Sequence, residues 1–317
     1  MAEMLREGTV LLGDHRIAYR LTGGEGGGAR TVALLNGSVF NCRQWNPVLL
    51  PLLRWRLGPT WRFLQFDYPG FGRSPAGPPL RTMAASAAVV ARLLDALCIE
   101  RAHFLGISLG SALGQALLFE HPQRVLSFAG FGNPHLGDEA YARKVTAFHH
   151  HLQALERIRH LWDTPVDFAM AGRLLREVYC EGIYGKPADR LTLLERAKLR
   201  AIQLLVAPML IGTPLCSMVE LFSLYANDPD PHIEYYRSRL LSAPAVPVLL
   251  LCGLDDTTTP PEMCRALHRA LPAATLVELP GVDHMGPMLM PHQAWRIVAA
   301  YATWVRRLAA TSGRARA

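Results

Sequence analysis

Gly106-Ile107-Ser108-Leu109-Gly110 is the stretch of this chain whose residue types and spacing could do chemistry. The apolar run 102–105 before it is short and has no helical period, whereas 111–119 after it is rich in alanine and leucine at helical spacing. Ser108 therefore lies on the corner between a strand and a helix. Gly106 and Gly110 lack the Cβ atoms that would collide as the two elements cross, and the turn pushes the serine hydroxyl out at the top of a sheet. The backbone N–H of Leu109, at the start of the helix, points where negative charge would develop on an attacked carbonyl oxygen.

A serine hydroxyl is a weak nucleophile near neutral pH and needs a base that is neutral and held in one tautomer. His284 and an aspartate fit those roles. Ser108, Asp256 and His284 each fall in a turn after an expected strand, in the order nucleophile, acid, base. Asp255, beside Asp256, is the other candidate for the acid. A second donor to the oxyanion is the N–H of Ser38, in the turn Asn36-Gly37-Ser38-Val39 that closes the strand 31–35. Together these residues imply acyl transfer through a covalent serine ester.

The elements that must hold them follow from the rest of the pattern. Residues 8–21, 31–36, 61–66, 102–105, 125–130, 246–252 and 274–279 read as strands, and 80–97, 111–119, 261–271 and 292–308 as helices. Strands alternating with helices imply an α/β fold whose mostly parallel sheet is covered on both faces and binds ligands beyond the carboxyl ends of its strands. From 133 to 243 the character changes to helical periods at 139–162, 167–179, 190–207, 218–226 and 232–241 with no convincing strand. We read this as a helical lid inserted after the sixth strand, dividing the core into 1–132 and 244–317.

Composition narrows the classes. A chain of 317 residues, half of them hydrophobic, can bury a sizeable core. The net charge of +7 comes chiefly from scattered arginines rather than a basic block with interleaved aromatics, which argues against nucleic-acid binding and leaves a small molecule as the expected partner. The run 23–28 is glycine-rich but lacks the Gly-Lys-Ser/Thr ending of a phosphate loop. His149-His150-His151 fan around a helix and cannot converge on one metal ion. Neither a metal nor another cofactor is expected. Six cysteines without metal-finger spacing read as reduced, mostly buried thiols, and residues 1–8 as neither signal peptide nor membrane span, so the expected location is cytoplasmic. The tail 313–317 reads as frayed.

Over nearly its whole length the chain resembles the α/β-hydrolase family. The resemblance rests on Leu34-Leu35-Asn36-Gly37 with Trp45, on Phe66-Asp67-Tyr68-Pro69-Gly70-Phe71-Gly72-Arg73-Ser74, and on Phe104 to Gly110. Further matches are His121-Pro122 with Arg124-Val125, Gly253-Leu254-Asp255-Asp256 with Pro260, and Gly281-Val282-Asp283-His284. It implies the α/β-hydrolase fold, places the acid four residues before Pro260 and so selects Asp256 over Asp255, and implies cleavage of a carboxylic ester, lactone or thioester. Most members carry His-Gly where this chain has Asn36-Gly37. That pair, with Asp256-Thr257-Thr258-Thr259 and the segment 224–227, resembles bacterial 3-hydroxyacyl transferases of the rhamnolipid-precursor type. In them Trp-Gly-Gly follows the nucleophile, against Leu109-Gly110-Ser111 here. Two alternatives therefore stand beside hydrolysis: transfer of a (3-hydroxy)acyl chain to a hydroxyl or thiol, and non-catalytic binding of a small ligand on the same fold.

Overall fold

The computed structural model describes residues 5–24, 30–38, 40–78, 80–135, 137–139, 165–177, 180, 187–214, 216–217, 236–240 and 245–314. Eight strands make one sheet: β1 (Leu5–Leu12), β2 (His15–Gly23), β3 (Arg30–Leu35), β4 (Trp61–Phe66), β5 (Ala102–Ile107), β6 (Val125–Phe131), β7 (Val248–Gly253) and β8 (Thr275–Leu279). Their order is β1-β2-β4-β3-β5-β6-β7-β8. The β1–β2 and β2–β4 pairs are antiparallel and all the others parallel. Residues 8–21, read as one strand, belong to a hairpin. Leu12 pairs with His15 across a two-residue turn, and Gly13 at its first position has φ of +64°, which costs glycine little.

The helices are α1 (Leu49–Leu57), α2 (Met83–Ala96), α3 (Leu109–Glu120), α4 (Phe168–Glu177), α5 (Leu193–Leu210), α6 (Pro261–Ala270), α7 (Gly286–Leu289) and α8 (Pro291–Arg314). Strand order fixes which face they cover. The step from β3 to β4 runs one way along the sheet, whereas β4 to β5, β5 to β6 and β7 to β8 run the other way. Right-handed crossovers then place α1 on one face and α2, α3 and α6 on the opposite one. Helix α8 packs on α1. With both faces covered, the central strands are buried throughout: β5 and β7 are buried at all six positions, His103 among them. The direction reverses at β3, so the carboxyl ends of β3 and β5 flank a switch point of the kind where α/β sheets bind ligands.

Helix α2 begins at Met83 rather than 80 because the Thr82 side chain accepts from the Ala85 N–H and caps it. Helix α8 runs on through Gly313 and Arg314, two residues that read as frayed tail. Between β6 and β7, α4 and α5 answer to the periods at 167–179 and 190–207, and 236–240 is helical. The periods at 139–162 and 218–226, most of the glycine run, His149-His150-His151 and the segment 224–227 lie outside the described residues. The six cysteines form no disulfide; Cys42, Cys180, Cys252 and Cys264 are buried and Cys98 is exposed.

A buried imidazole on β5 gives the fold a pH dependence. His103 is 6% exposed, its Nδ1 lies 2.8 Å from the Ser127 hydroxyl and its ring lies against Trp61. Burial, reinforced by the Arg30 and Arg101 charges, pushes its pKa down from 6.5 to about 4. Between those values the unfolded chain binds a proton that the folded one refuses, so stability rises with pH across that window and falls on acidification. Urea unfolding at pH 6.5 and pH 4 is expected to differ by about 3 kcal/mol from this group alone. His103→Gln removes that part of the slope; an unchanged slope in the variant contradicts the assignment.

Candidate active site

The turn after β5 has the geometry that its glycines foretell. Ser108 has φ of 55° and ψ of −115°, a left-handed backbone that costs a non-glycine residue on the order of 1–3 kcal/mol. Its amide donates to the Phe131 carbonyl at 2.9 Å, and its own carbonyl accepts from the Ser111 and Ala112 amides, so the corner is held from both sides. A Cβ on Gly106 would stand 2.3 Å from the Gly110 carbonyl oxygen, and one on Gly110 would stand 2.1 Å from the Leu35 carbonyl oxygen. The first turn of α3 is thereby pressed against the end of β3. Leu109 opens that helix, where an N–H has no intrahelical acceptor.

Four strand ends carry the other site residues. Asp256 follows β7 and His284 follows β8, and the structure joins them: His284 Nδ1 and Asp256 Oδ2 are 2.8 Å apart. Asp256 is 2% exposed whereas Asp255 is exposed, so burial and this contact separate the two carboxylates that the sequence leaves side by side. The remaining lone pairs of Asp256 are filled locally. Its Oδ1 accepts from the Thr258 and Thr259 amides at 2.9 Å, and its Oδ2 accepts from the Thr259 hydroxyl at 2.8 Å. An aspartate accepting from amides two and three residues on is a common turn device, and this was the signal by which Thr259 could have been found. On β6, between the Ser108 and Asp256 strands, the Phe131 ring lies 6.4 Å from the His284 ring. A Cβ on Gly132, which has φ of +61°, would stand 2.9 Å from His284 Cε1. Ser108 and His284 thus both border the pair Phe131-Gly132, one through a hydrogen bond and the other through ring contact.

The turn that carries Ser38 is braced by side chains that sequence reasoning did not connect. Asn36 is fully buried: its Nδ2 donates to the Phe66 carbonyl at 2.8 Å, and its Oδ1 accepts from Trp45 Nε1 at 2.9 Å and Gln44 Nε2 at 3.1 Å. The Tyr68 hydroxyl donates to the Asn36 carbonyl, and Gln44 Oε1 accepts from the Gly37 amide. Asp67 ties this loop to the next one, its two oxygens accepting from the Cys42 and Arg73 amides at 2.8 and 2.9 Å. A Cβ on Gly72 would collide with that carboxylate. Buried polar groups satisfied to this degree make a stiff frame.

Helix α5 touches two of these loops. Its Met209 carbonyl accepts from Asn41 Nδ2 at 2.9 Å, and its Lys198 Nζ lies 2.8 Å from Asp283 Oδ2, one residue before His284. Burial alone would raise the Asp283 pKa. The Lys198 ammonium and the Gly286 and Met285 amides outweigh it and hold the carboxyl below the usual range. The Lys198 side chain is 36% exposed, so Lys198→Ala is expected to cost under about 1 kcal/mol in urea unfolding. Asp283→Ala also strips the acceptor from two amides and is expected to cost about 2–3 kcal/mol, with Asp283→Asn in between. Equal losses for Lys198→Ala and Asp283→Ala would contradict this division.

Among the described residues, no group of three or more His, Cys, Asp or Glu side chains could hold a metal ion, and no helix is long and apolar enough to cross a membrane.

A sheet of this order, with a serine elbow after one strand and an Asp–His pair after two others, defines a class, and comparison with known proteins names it. A model described as the alpha/beta hydrolase family matches residues 32–297. The chain belongs to that family. Pimeloyl-(acyl-carrier protein) methyl ester esterase of Neisseria meningitidis serogroup C is 30% identical over 242 residues, covering 76% of this chain and 82% of that protein. RutD of Caulobacter sp. (strain K31) is 25% identical over 271 residues, covering 84% and 88%. The enol-lactonase of Burkholderia xenovorans LB400 superposes with a TM-score of 0.67 at 19% identity, covering 96% of this chain and all of that one.

Proposed function

We propose that this chain is a serine hydrolase that cleaves a carboxylic ester, lactone or thioester through an acyl-enzyme on Ser108. The observation that carries the reading is the 2.8 Å contact between His284 Nδ1 and a buried Asp256, beside a strained serine elbow. A hydrogen bond at Nδ1 leaves Nε2 as the basic nitrogen. His284 Nε2 takes the Ser108 proton as Oγ attacks the carbonyl carbon. The tetrahedral oxyanion is held by the N–H groups of Ser38 and Leu109, each worth on the order of 3 kcal/mol of barrier. The imidazolium, stabilised by Asp256, returns its proton to the leaving alcohol or thiol as the carbonyl re-forms. Water, activated by the same imidazole, then releases the acid. Membership of the alpha/beta hydrolase family and a relative named an esterase support hydrolysis.

The segment 133–243 serves in this reading as a lid over the carboxyl edge of the sheet. The contacts from Met209 to Asn41 and from Lys198 to Asp283 support that placement, since they span both sides of the site. Acyl transfer draws no added support from the Asn36 side chain, which is buried and hydrogen-bonded to Phe66, Gln44 and Trp45. The test is a panel of p-nitrophenyl esters and acyl thioesters with and without an alcohol or hydroxy-acid acceptor. Free acid alone is expected; an acylated acceptor as the main product would replace hydrolysis with transfer.

A further inference from the structure

A cavity lies beside the elbow, on the face covered by α2 and α3. Phe71, Met83, Val89, Val90, Leu109 and Leu113 are among the apolar residues of its wall, and Ser217, from the segment between β6 and β7, also lines it. Two features tie it to the proposed chemistry. Leu109, whose N–H we place at the oxyanion, is itself part of the wall. So is Tyr68, whose hydroxyl holds the Asn36 carbonyl two residues before Ser38. Leu109 thus joins the cavity to the turn that carries Ser108, although Ser108, Ser38 and His284 do not line it.

The polar groups of the wall say what enters. The Asp67 carboxylate is taken up by the Cys42 and Arg73 amides, the Tyr68 hydroxyl donates to Asn36, and the Ser86 hydroxyl donates to the Thr82 carbonyl. Ser217 sits against the backbone of Gly70, where a Cβ would stand 2.0 Å from its hydroxyl oxygen. No lysine, arginine or histidine is among the described residues of the wall, and its one charge, Asp67, is negative. Such a wall offers an occupant burial and dispersion but no pairing for a charge, and it repels an anion.

We propose, resting on the serine-hydrolase reading, that this cavity is the acyl subsite and that the substrate is an ester or thioester of a neutral, unbranched acyl chain. A chain with a carboxylate at its far end is excluded. Each methylene placed there is expected to favour binding about fourfold. Wild-type kcat/KM should rise by up to about 250-fold from p-nitrophenyl acetate to the hexanoate, which has four more methylenes, and by no less than about tenfold if only part of the chain is seated. Mono-p-nitrophenyl adipate, the chain of equal length with a terminal carboxylate, should fall back to the acetate level or below. Val89→Phe fills the cavity and should collapse the hexanoate-to-acetate ratio about tenfold. Ser86→Leu fills it from the neighbouring helical turn and should do the same if the phenylalanine disrupts folding.

A binding measurement separates this subsite from the chemistry. In Ser108→Ala, calorimetry with methyl hexanoate should give saturable binding that methyl acetate lacks and that adding Val89→Phe removes. Adipate handled as well as hexanoate, or a chain-length preference untouched by both cavity-filling variants, overturns the proposal. Hexanoate binding to Ser108→Ala that Val89→Phe abolishes, with no ester turned over by the wild type, would keep the subsite and sink the hydrolase reading instead.

Discussion

Ser108→Ala is expected to lower turnover of an activated ester at least about 10⁴-fold, and His284→Ala by a similar factor, because in the proposed mechanism nucleophile and base act as one unit. Combining the two should cost little more than either alone. Their effects on stability differ from their effects on rate. Ser108→Ala keeps the φ of 55° and the amide bond to Phe131, neither of which involves the hydroxyl, so its melting temperature should stay within about two degrees of wild type. Ser108→Gly should be equally inactive yet more stable by about 1 kcal/mol, since glycine relieves a left-handed backbone at a smaller cost in chain entropy. A serine kept in a strained turn at the expense of stability is what a nucleophile requires and a structural serine does not. Retained turnover in either alanine variant, or a Ser108→Gly protein less stable than wild type, would count directly against this account.

The second large effect falls on a residue that touches no substrate. Gly110→Ala places a methyl group 2.1 Å from the Leu35 carbonyl oxygen and 2.8 Å from that of Asn36. Both obstacles are backbone, one the last residue of β3 and the other the residue after it, and neither can swing aside as a long side chain would. Either α3 shifts away from β3, moving Leu109 and Ser108 from their places, or the protein fails to fold. Gly110→Ala is expected to cost more than about 3 kcal/mol and to lower turnover of whatever folds by more than about tenfold. Gly58→Ala is the control for a glycine whose added Cβ meets nothing within 4 Å, although its φ of +85° and ψ of −178° still carry a backbone strain of about 1–3 kcal/mol. Near-native stability and rate in Gly110→Ala would mean that the elbow is looser than its contacts imply.

What the sequence makes legible is the chemistry that repeats with short spacing. The strand–serine–helix corner follows from the two glycines around Ser108, and the parallel order from the alternation of apolar runs with helical periods. Sequence alone did not separate 8–21 into two strands, because the apolar alternation runs on either side of Gly13-Asp14 and masks the turn. Nor did it show what Asn36 does. Its partners Gln44, Trp45 and Phe66 lie eight, nine and thirty residues away and converge only when β3 and β4 pair. The contacts of α5 are more remote still, Asn41 with Met209 and Lys198 with Asp283. A periodic pattern reports which face of a helix is apolar; it carries nothing about which distant loop receives that helix. Asp255 and Asp256 are neighbours in sequence, and it takes the turn after β7 to bury one and leave the other in solvent.

The central claim is that the Ser108 hydroxyl is an activated nucleophile. Its most direct test is reaction of the folded protein with a fluorophosphonate probe, followed by peptide mapping of the adduct by mass spectrometry. The account predicts one adduct, on Ser108, formed rapidly in the wild type, absent in Ser108→Ala and slowed by orders of magnitude in His284→Ala. A folded wild-type protein that stays unlabelled, or that is labelled at another residue, would contradict it.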